Sequence, residues 1–145
     1  MRCALDTNVL ARSIKIDHPN QLEALAAITK LIKQADEVHL LPQNLVEFWV
    51  ISTRPTKDNG LGLSPSEAEA HIAKFESLFP LYADNAAVYT NWRKLVTAHE
   101  VKGKNAHDAR IAAALMAHGI THLVTFNKDD FKRFSEIKAL SPSEI

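Results

Sequence analysis

The chain has 145 residues, 46% of them apolar and 23% charged, which fits one globular domain (residues 1–145) and excludes a disordered chain. Its 17 Lys and Arg residues balance 17 Asp and Glu residues, so bulk charge announces no nucleic-acid binder, and any such activity must rest on a local patch or on metal ions. The longest purely apolar run, Ile111 to Ala117, is far too short to span a membrane, and Asp6 interrupts the only apolar stretch near the start, where a secretory signal would lie. Cys3 is the sole cysteine, which excludes an intrachain disulfide and reads as a small buried hydrophobe in a cytoplasmic protein.

In chain order, residues 2–6 read as a short buried strand ending on Asp6, Thr7 and Asn8, short polar residues suited to capping a following helix. Leu22, Leu25, Ile28, Leu31, Ile32 and Ala35 recur at helical spacing and predict an amphipathic helix from about Pro19 to Ala35. "EVHLL" (37–41) is strand-like, and Pro42 opens a helix running to about Thr53. "RPTKDNGLGL" (54–63) predicts an exposed loop. Ser64, Pro65 and Glu67 form a complete helix-start signal for a helix to about Leu78. "FPLY" (79–82) predicts a strand weakened by Pro80, and Asp84 is the expected cap of a helix to about His99.

After the basic loop "VKGKN", Asp108 to His118 predicts an alanine-rich helix stopped by Gly119. "ITHLVTF" (120–126) is the clearest strand, followed by a turn around Asp129 to Arg133 and a last strand near Glu136 to Leu140. Strands alternating with helices imply parallel pairing and right-handed crossovers, hence a three-layer α/β/α sandwich with a mostly parallel central sheet. In that architecture ligands bind at the carboxyl ends of the strands. Two such ends here are polar: Asp6-Thr7-Asn8, and Thr125 with Asn127, Asp129 and Asp130.

Two further carboxylates need a reason. Glu47 lies in "NLVEFWVI", where apolar residues on nearly every side imply a buried helix and an ionised carboxylate demands a cation. Arg54, seven residues on, is one candidate, slightly favoured from Glu47 alone, and a metal ion is the other. Asp108 opens an alanine-rich helix, where an acid complements the helix dipole, while Ala109, Ala112 and Ala113 allow a close neighbour. As a set, Asp6, Glu47, Asp108 and the Asn127–Asp130 segment stay ionised together only around hard cations, and all-oxygen ligation suits Mg²⁺ or Mn²⁺. Two such ions clamp the attacking and leaving oxygens of a phosphodiester displacement. Arg54, Lys57, Lys102, Lys104 and Arg110 are the cations available to position a substrate; Phe75, Tyr89 and Trp92 fall at helical core positions, and none of the seven histidines pairs in a zinc-like spacing.

"LDTNVL", "LVEFWVISTRP" and "HDARIAAALMAHGITHLVTFNKDDF", in this order across nearly the whole chain, resemble the PIN-domain family, more narrowly its VapC-like toxins of bacterial toxin–antitoxin pairs. The resemblance implies that Asp6, Glu47 and Asp108 bind metal, with Thr7, Asn8 and Thr125 lining the site. A fourth acid is Asp130, or Asn127 as a neutral substitute where many relatives carry aspartate. It also implies cleavage of single-stranded RNA, homodimerisation and a cognate antitoxin docking near the site. The alternatives are a catalytically inactive PIN-like module that binds RNA or a partner, and a phosphatase using Asp6 as nucleophile, whose usual second aspartate is here Asn8.

Overall fold

A computed structural model describes residues 1–34 and 36–145. The chain runs β1 (Arg2–Leu5), α1 (Thr7–Ile14), α2 (Gln21–Lys33), β2 (Glu37–His39), α3 (Pro42–Thr53), α4 (Pro65–Leu78), α5 (Ala86–Ala98), α6 (Asn105–Ala117), β3 (His122–Val124) and β4 (Lys138–Leu140). Ala35, the expected end of the second helix, lies outside the described residues. The strands pair in the order β2-β1-β3-β4, all parallel, with Ala4 opposite both His39 and Leu123.

Alternation along the strands splits the core between two faces. Cys3, Leu5 and Val124 pack with Leu10 of α1, Leu31 of α2, Phe48 of α3 and Phe75 of α4. Ala4 and Leu123 pack with Leu95 of α5 and Leu115 of α6. The result is the three-layer α/β/α sandwich expected from the sequence. The small residues of α6 do what small residues permit: Ala109, Ala112 and Ala113 are fully buried, and Asn91 and Trp92 of α5 donate to the carbonyls of Ala113 and Ala106.

Local chemistry explains the boundaries. The Ser64 hydroxyl accepts from the Glu67 amide while the Glu67 carboxylate accepts from the Ser64 amide, so the capping box starts α4 at Pro65. The segment expected as an exposed loop exposes residues 55–59 but then straps back on α3, with the amides of Leu61, Gly62 and Leu63 donating to Ile51, Arg54 and Ser52. Those bonds satisfy carbonyls that a helix end leaves open. Gly60 is buried there and no larger residue fits, since a Cβ would stand 1.8 Å from the Arg54 carbonyl oxygen.

Three expectations are corrected. "FPLY" forms no strand: Leu81 makes one isolated parallel bridge with Leu40, since Pro80 has no N–H to continue a ladder. Asp84 caps nothing; α5 starts at Ala86 behind Asn85, and the Asp84 carboxylate instead accepts from Arg110 at 2.8 Å. Nor is α3 buried all round. Leu45, Phe48 and Ser52 face the core, while Val46 (64% exposed), Trp49 (36%) and Val50 (53%) form an outer apolar stripe. Among the described residues, no helix is long and apolar enough to cross a membrane.

Candidate active site

The strand order places a topological switch point between β1 and β3. From β1 the chain crosses to β2 on one side and later returns to β3 on the other, so their carboxyl ends open a crevice. Asp6 leaves β1 into this crevice, and Thr125 leaves β3 into it.

Asp6 is 6% exposed and occupies the N-cap position of α1. An ordinary cap accepts from the second or third helical amide. Asp6 accepts from the first, Thr7, at 2.8 Å, and three further donors come from side chains. The Thr125 hydroxyl donates at 2.7 Å, and the amides of Asn44 and Asn8 at 3.2 and 3.3 Å. Four donors converge on one carboxylate, two on each oxygen, which is far more than helix capping requires.

The orientation of these donors is itself fixed. Thr125 Oγ1 accepts from Asn8 Nδ2 at 3.1 Å and from the Asn127 amide at 3.0 Å, so its single proton goes to Asp6. Asn8 Oδ1 accepts from the Phe126 amide at 3.1 Å, which sets that side chain's orientation. Burial pushes the Asp6 carboxyl up to about 6, with the charges of Glu47 and Asp108 adding to it, while the Thr125 and Thr7 hydrogen bonds pull the other way.

Glu47 arrives from α3, which begins just beyond the carboxyl end of β2. Its partners are the Thr7 hydroxyl at 3.1 Å and Gln43 Nε2 at 3.0 Å. Arg54 makes no pair with it; the guanidinium lies beyond the end of α3 and donates to the Asn59 carbonyl at 3.4 Å. The salt-bridge explanation of Glu47 therefore fails, because seven residues of helix carry the two groups about 10 Å apart along its axis.

Asp108 sits in the fourth position of α6, too deep for a cap, and is half-buried. Burial pushes it up to about 6, then the charges of Asp130 and Glu47, against His107 and Arg133. Asp6 thus feels the charges of Glu47 and Asp108, and Asp108 those of Asp130 and Glu47. Asp130, exposed on the short 3-10 helix Lys128–Phe131, acts with Glu47 on Asp108; Asn127 enters the network through its backbone amide. The donor set is all oxygen and strongly anionic, which suits a hard divalent cation. Among the described residues, no three Asp, Glu, His or Cys side chains are already gathered around one point.

Of the expected substrate cations, Lys104 is exposed, and among the described residues its side chain has no hydrogen bond or ion pair. Arg110 is engaged: it donates to Asp84 at 2.8 Å and to Gln43 Oε1 at 3.0 Å, so its charge anchors the amide that holds Glu47. Gln43 and Asn44 were missed in the sequence, although they stand four and three residues before Glu47, the spacing that shares a helix face.

Replacing Thr125 by the isosteric valine removes the strongest pull on Asp6 and orphans two donors. Thr125→Val is expected to lower stability by about 2 kcal/mol and to move the Asp6 titration further above 6. A urea melt with NMR titration of the Asp6 carboxyl checks both, and an unmoved titration would contradict this wiring.

The family model of the PIN domain matches residues 3–137. No curated protein matches the chain. Among solved structures, the chain is similar to VapBC2 from Rickettsia felis bound to a DNA fragment from its promoter, with a TM-score of 0.71 and 20% identity over 97% of this chain and 98% of that one. It is similar to VapBC-1 from nontypeable Haemophilus influenzae (0.72, 15% identity, 99% of each chain). A third is VapC20 from Mycobacterium tuberculosis, a sarcin–ricin loop cleaving toxin (0.64, 18% identity, 88% of this chain and 92% of that one). At these identities the likeness is one of fold.

Proposed function

Because the chain belongs to the PIN domain family, we propose that it is a metal-dependent endoribonuclease that hydrolyses phosphodiester bonds of single-stranded RNA, the toxin of a toxin–antitoxin pair. The observation that carries this reading is the Asp6 carboxylate, buried at a switch point within reach of the charges of Glu47 from α3 and Asp108 from α6, with Asp130 acting in turn on Asp108. Such a set costs stability unless it serves a cation. VapC20, to which the chain is similar in fold, cleaves RNA of the sarcin–ricin loop.

Asp6, Glu47, Asp108 and Asp130 would hold Mg²⁺ or Mn²⁺, which when bound neutralises phosphodiester charge and activates water. The chain's own residues do the positioning. Thr125, Asn8 and Asn44 lock both oxygens of Asp6, and Thr7 and Gln43 fix those of Glu47, with Arg110 steadying Gln43. In-line attack of water on phosphorus would break the P–O3′ bond, the 3′ oxygen taking up a proton, to leave 3′-hydroxyl and 5′-phosphate ends. A protein partner fits the outer stripe of α3, since Val46, Trp49 and Val50 form an exposed apolar face on the same helix that carries Glu47. An antitoxin, or a second copy in a homodimer, would cover it.

Incubation with single-stranded oligoribonucleotides and Mn²⁺ or Mg²⁺ is expected to give cuts that a chelator abolishes. Cleavage that survives chelation contradicts metal dependence. Cation binding without turnover of any RNA would instead point to a non-catalytic PIN-like module.

A further inference from the structure

Beside the carboxylate site, on the far side of Asn8, lies a cleft of about 340 Å³ between the carboxyl-terminal ends of α1 and α3. Its polar lining is Asn8, Arg12, Lys15, His18, Arg54 and Asn59, and among the described residues no carboxylate lines it. In a chain whose charges balance overall, three cations and an imidazole sharing one cleft are a local excess.

Two elements supply that excess independently. Asn8 and Arg12 stand four residues apart on one face of α1, and Lys15, the extended C-cap just past its end, lines the same cleft. The Arg12 guanidinium lies 5.2 Å from the centre of the Phe126 ring, whose own amide donates to Asn8, so its charge is held at the site end of the cleft. A cation near the end of α1 also complements the helix dipole. That accounts for Arg12 but not for Arg54, which reaches the same cleft from beyond α3.

Arg54 Nε is buried and, among the described residues, has no partner, while Nη2 makes one long bond to the Asn59 carbonyl. His18 Nδ1 accepts from the Asn20 amide, which leaves Nε2 for a ligand. Burial first, and then the charges of Arg12 and Lys15, hold His18 below its usual range, as expected where positive groups crowd together.

We propose that this cleft binds the backbone phosphates of the RNA strand next to the scissile one, with Arg12, Lys15 and Arg54 as the phosphate-contacting residues. The inference rests on the nuclease reading above and extends it. A carboxylate cluster repels a polyanion, so the strand needs positive ground adjoining the site, and the cleft begins at the residue, Asn8, that also holds Asp6.

The test is binding of a labelled single-stranded oligoribonucleotide, kept intact by chelator, followed by fluorescence anisotropy over a range of salt. Arg12→Gln/Lys15→Gln is expected to weaken binding roughly tenfold and to flatten the log K against log salt slope by about 1.4, two phosphate contacts at about 0.7 each. Arg93→Gln/Lys94→Gln on α5, a control of equal charge, is expected to leave the affinity within about twofold, since its cations lie outside the cleft. Equal loss in the two double variants overturns the proposal, as does no loss in the first. If the first variant does not fold, Arg54→Gln carries the same comparison. Binding that depends on Arg12 and Lys15 without any cleavage in Mn²⁺ keeps the cleft and sinks the nuclease reading; wild-type cleavage by that variant does the reverse. An acidic peptide that displaces the RNA, and binds the cleft more tightly, would reassign it to a protein partner and overturn the proposal.

Discussion

Asp6→Asn is expected to lower RNA cleavage at least about a thousandfold, equivalent to roughly 4 kcal/mol of transition-state stabilisation, while the protein stays folded. The substitution removes the one carboxylate at which the whole network ends. It also inverts part of the wiring, because an amide offers one acceptor oxygen where Asp6 offers two, and the donors on the other side then face an NH₂ group. Against that loss stands a gain. Asp6 is 6% exposed and titrates near 6, about two units above an ordinary aspartate, so its ionised form costs the folded state about 3 kcal/mol at neutral pH. The two effects oppose one another, and a melting temperature close to that of the wild type is expected. Wild-type cleavage by the variant would remove Asp6 from the catalytic reading; a collapsed fold would return it to a structural role.

The second large effect is a pH dependence that reverses sign when a divalent cation is added. Asp6 and Asp108 both titrate near 6 in the folded protein, above the 3.8 of an ordinary aspartate. Folding therefore holds protons that the unfolded chain releases. The stability this contributes is complete below about 3.8 and is lost as pH rises through about 6. Without cation, the difference in stability between wild type and an Asp6→Asn/Asp108→Asn double variant is expected to shift against the wild type between pH 5 and 7.5. With Mn²⁺ the trend reverses, because an ion binds only the ionised carboxylates and must displace their protons. Apparent affinity is expected to fall by up to about a hundredfold per pH unit well below 6, where two protons are displaced. Calorimetric titration across this range checks the slope, and an affinity independent of pH would contradict the pairing of Asp6 with Asp108.

Much of this was legible in the sequence where one local rule dominates. Alternating apolar strands and helices led to the three-layer fold, and the Ser64–Glu67 box marks a helix start to the residue. The rule failed where two demands compete for one residue. Asp84 has a cap's chemistry, but Arg110 from a distant helix takes its carboxylate. The apolar character of α3 predicts burial all round, yet hydropathy is the same for a core stripe and for an outer face, and only packing separates Phe48 from Val46.

The candidate site was legible in its charged members and not in its amides. Carboxylates at strand ends or in apolar helices are anomalies that a sequence displays. Gln43 and Asn44 look like ordinary helix-opening residues until the fold sets them against Glu47 and Asp6. Arg12 and Lys15 likewise read as a helix end. Their pairing with Arg54 exists only because the crossover brings the ends of α1 and α3 to one cleft.

The most direct measurement is a thermal melt of wild type and Asp6→Asn, each with and without millimolar Mn²⁺. If the four acids form a cation site, saturating ion stabilises the wild type by about 2.7 kcal/mol at a hundredfold excess over Kd, a rise of roughly 5–10 °C for a domain of this size. Asp6→Asn should show little or none of that rise. An unmoved wild type, or equal shifts in both proteins, would contradict the cation site and leave Asp6 as the cap of α1.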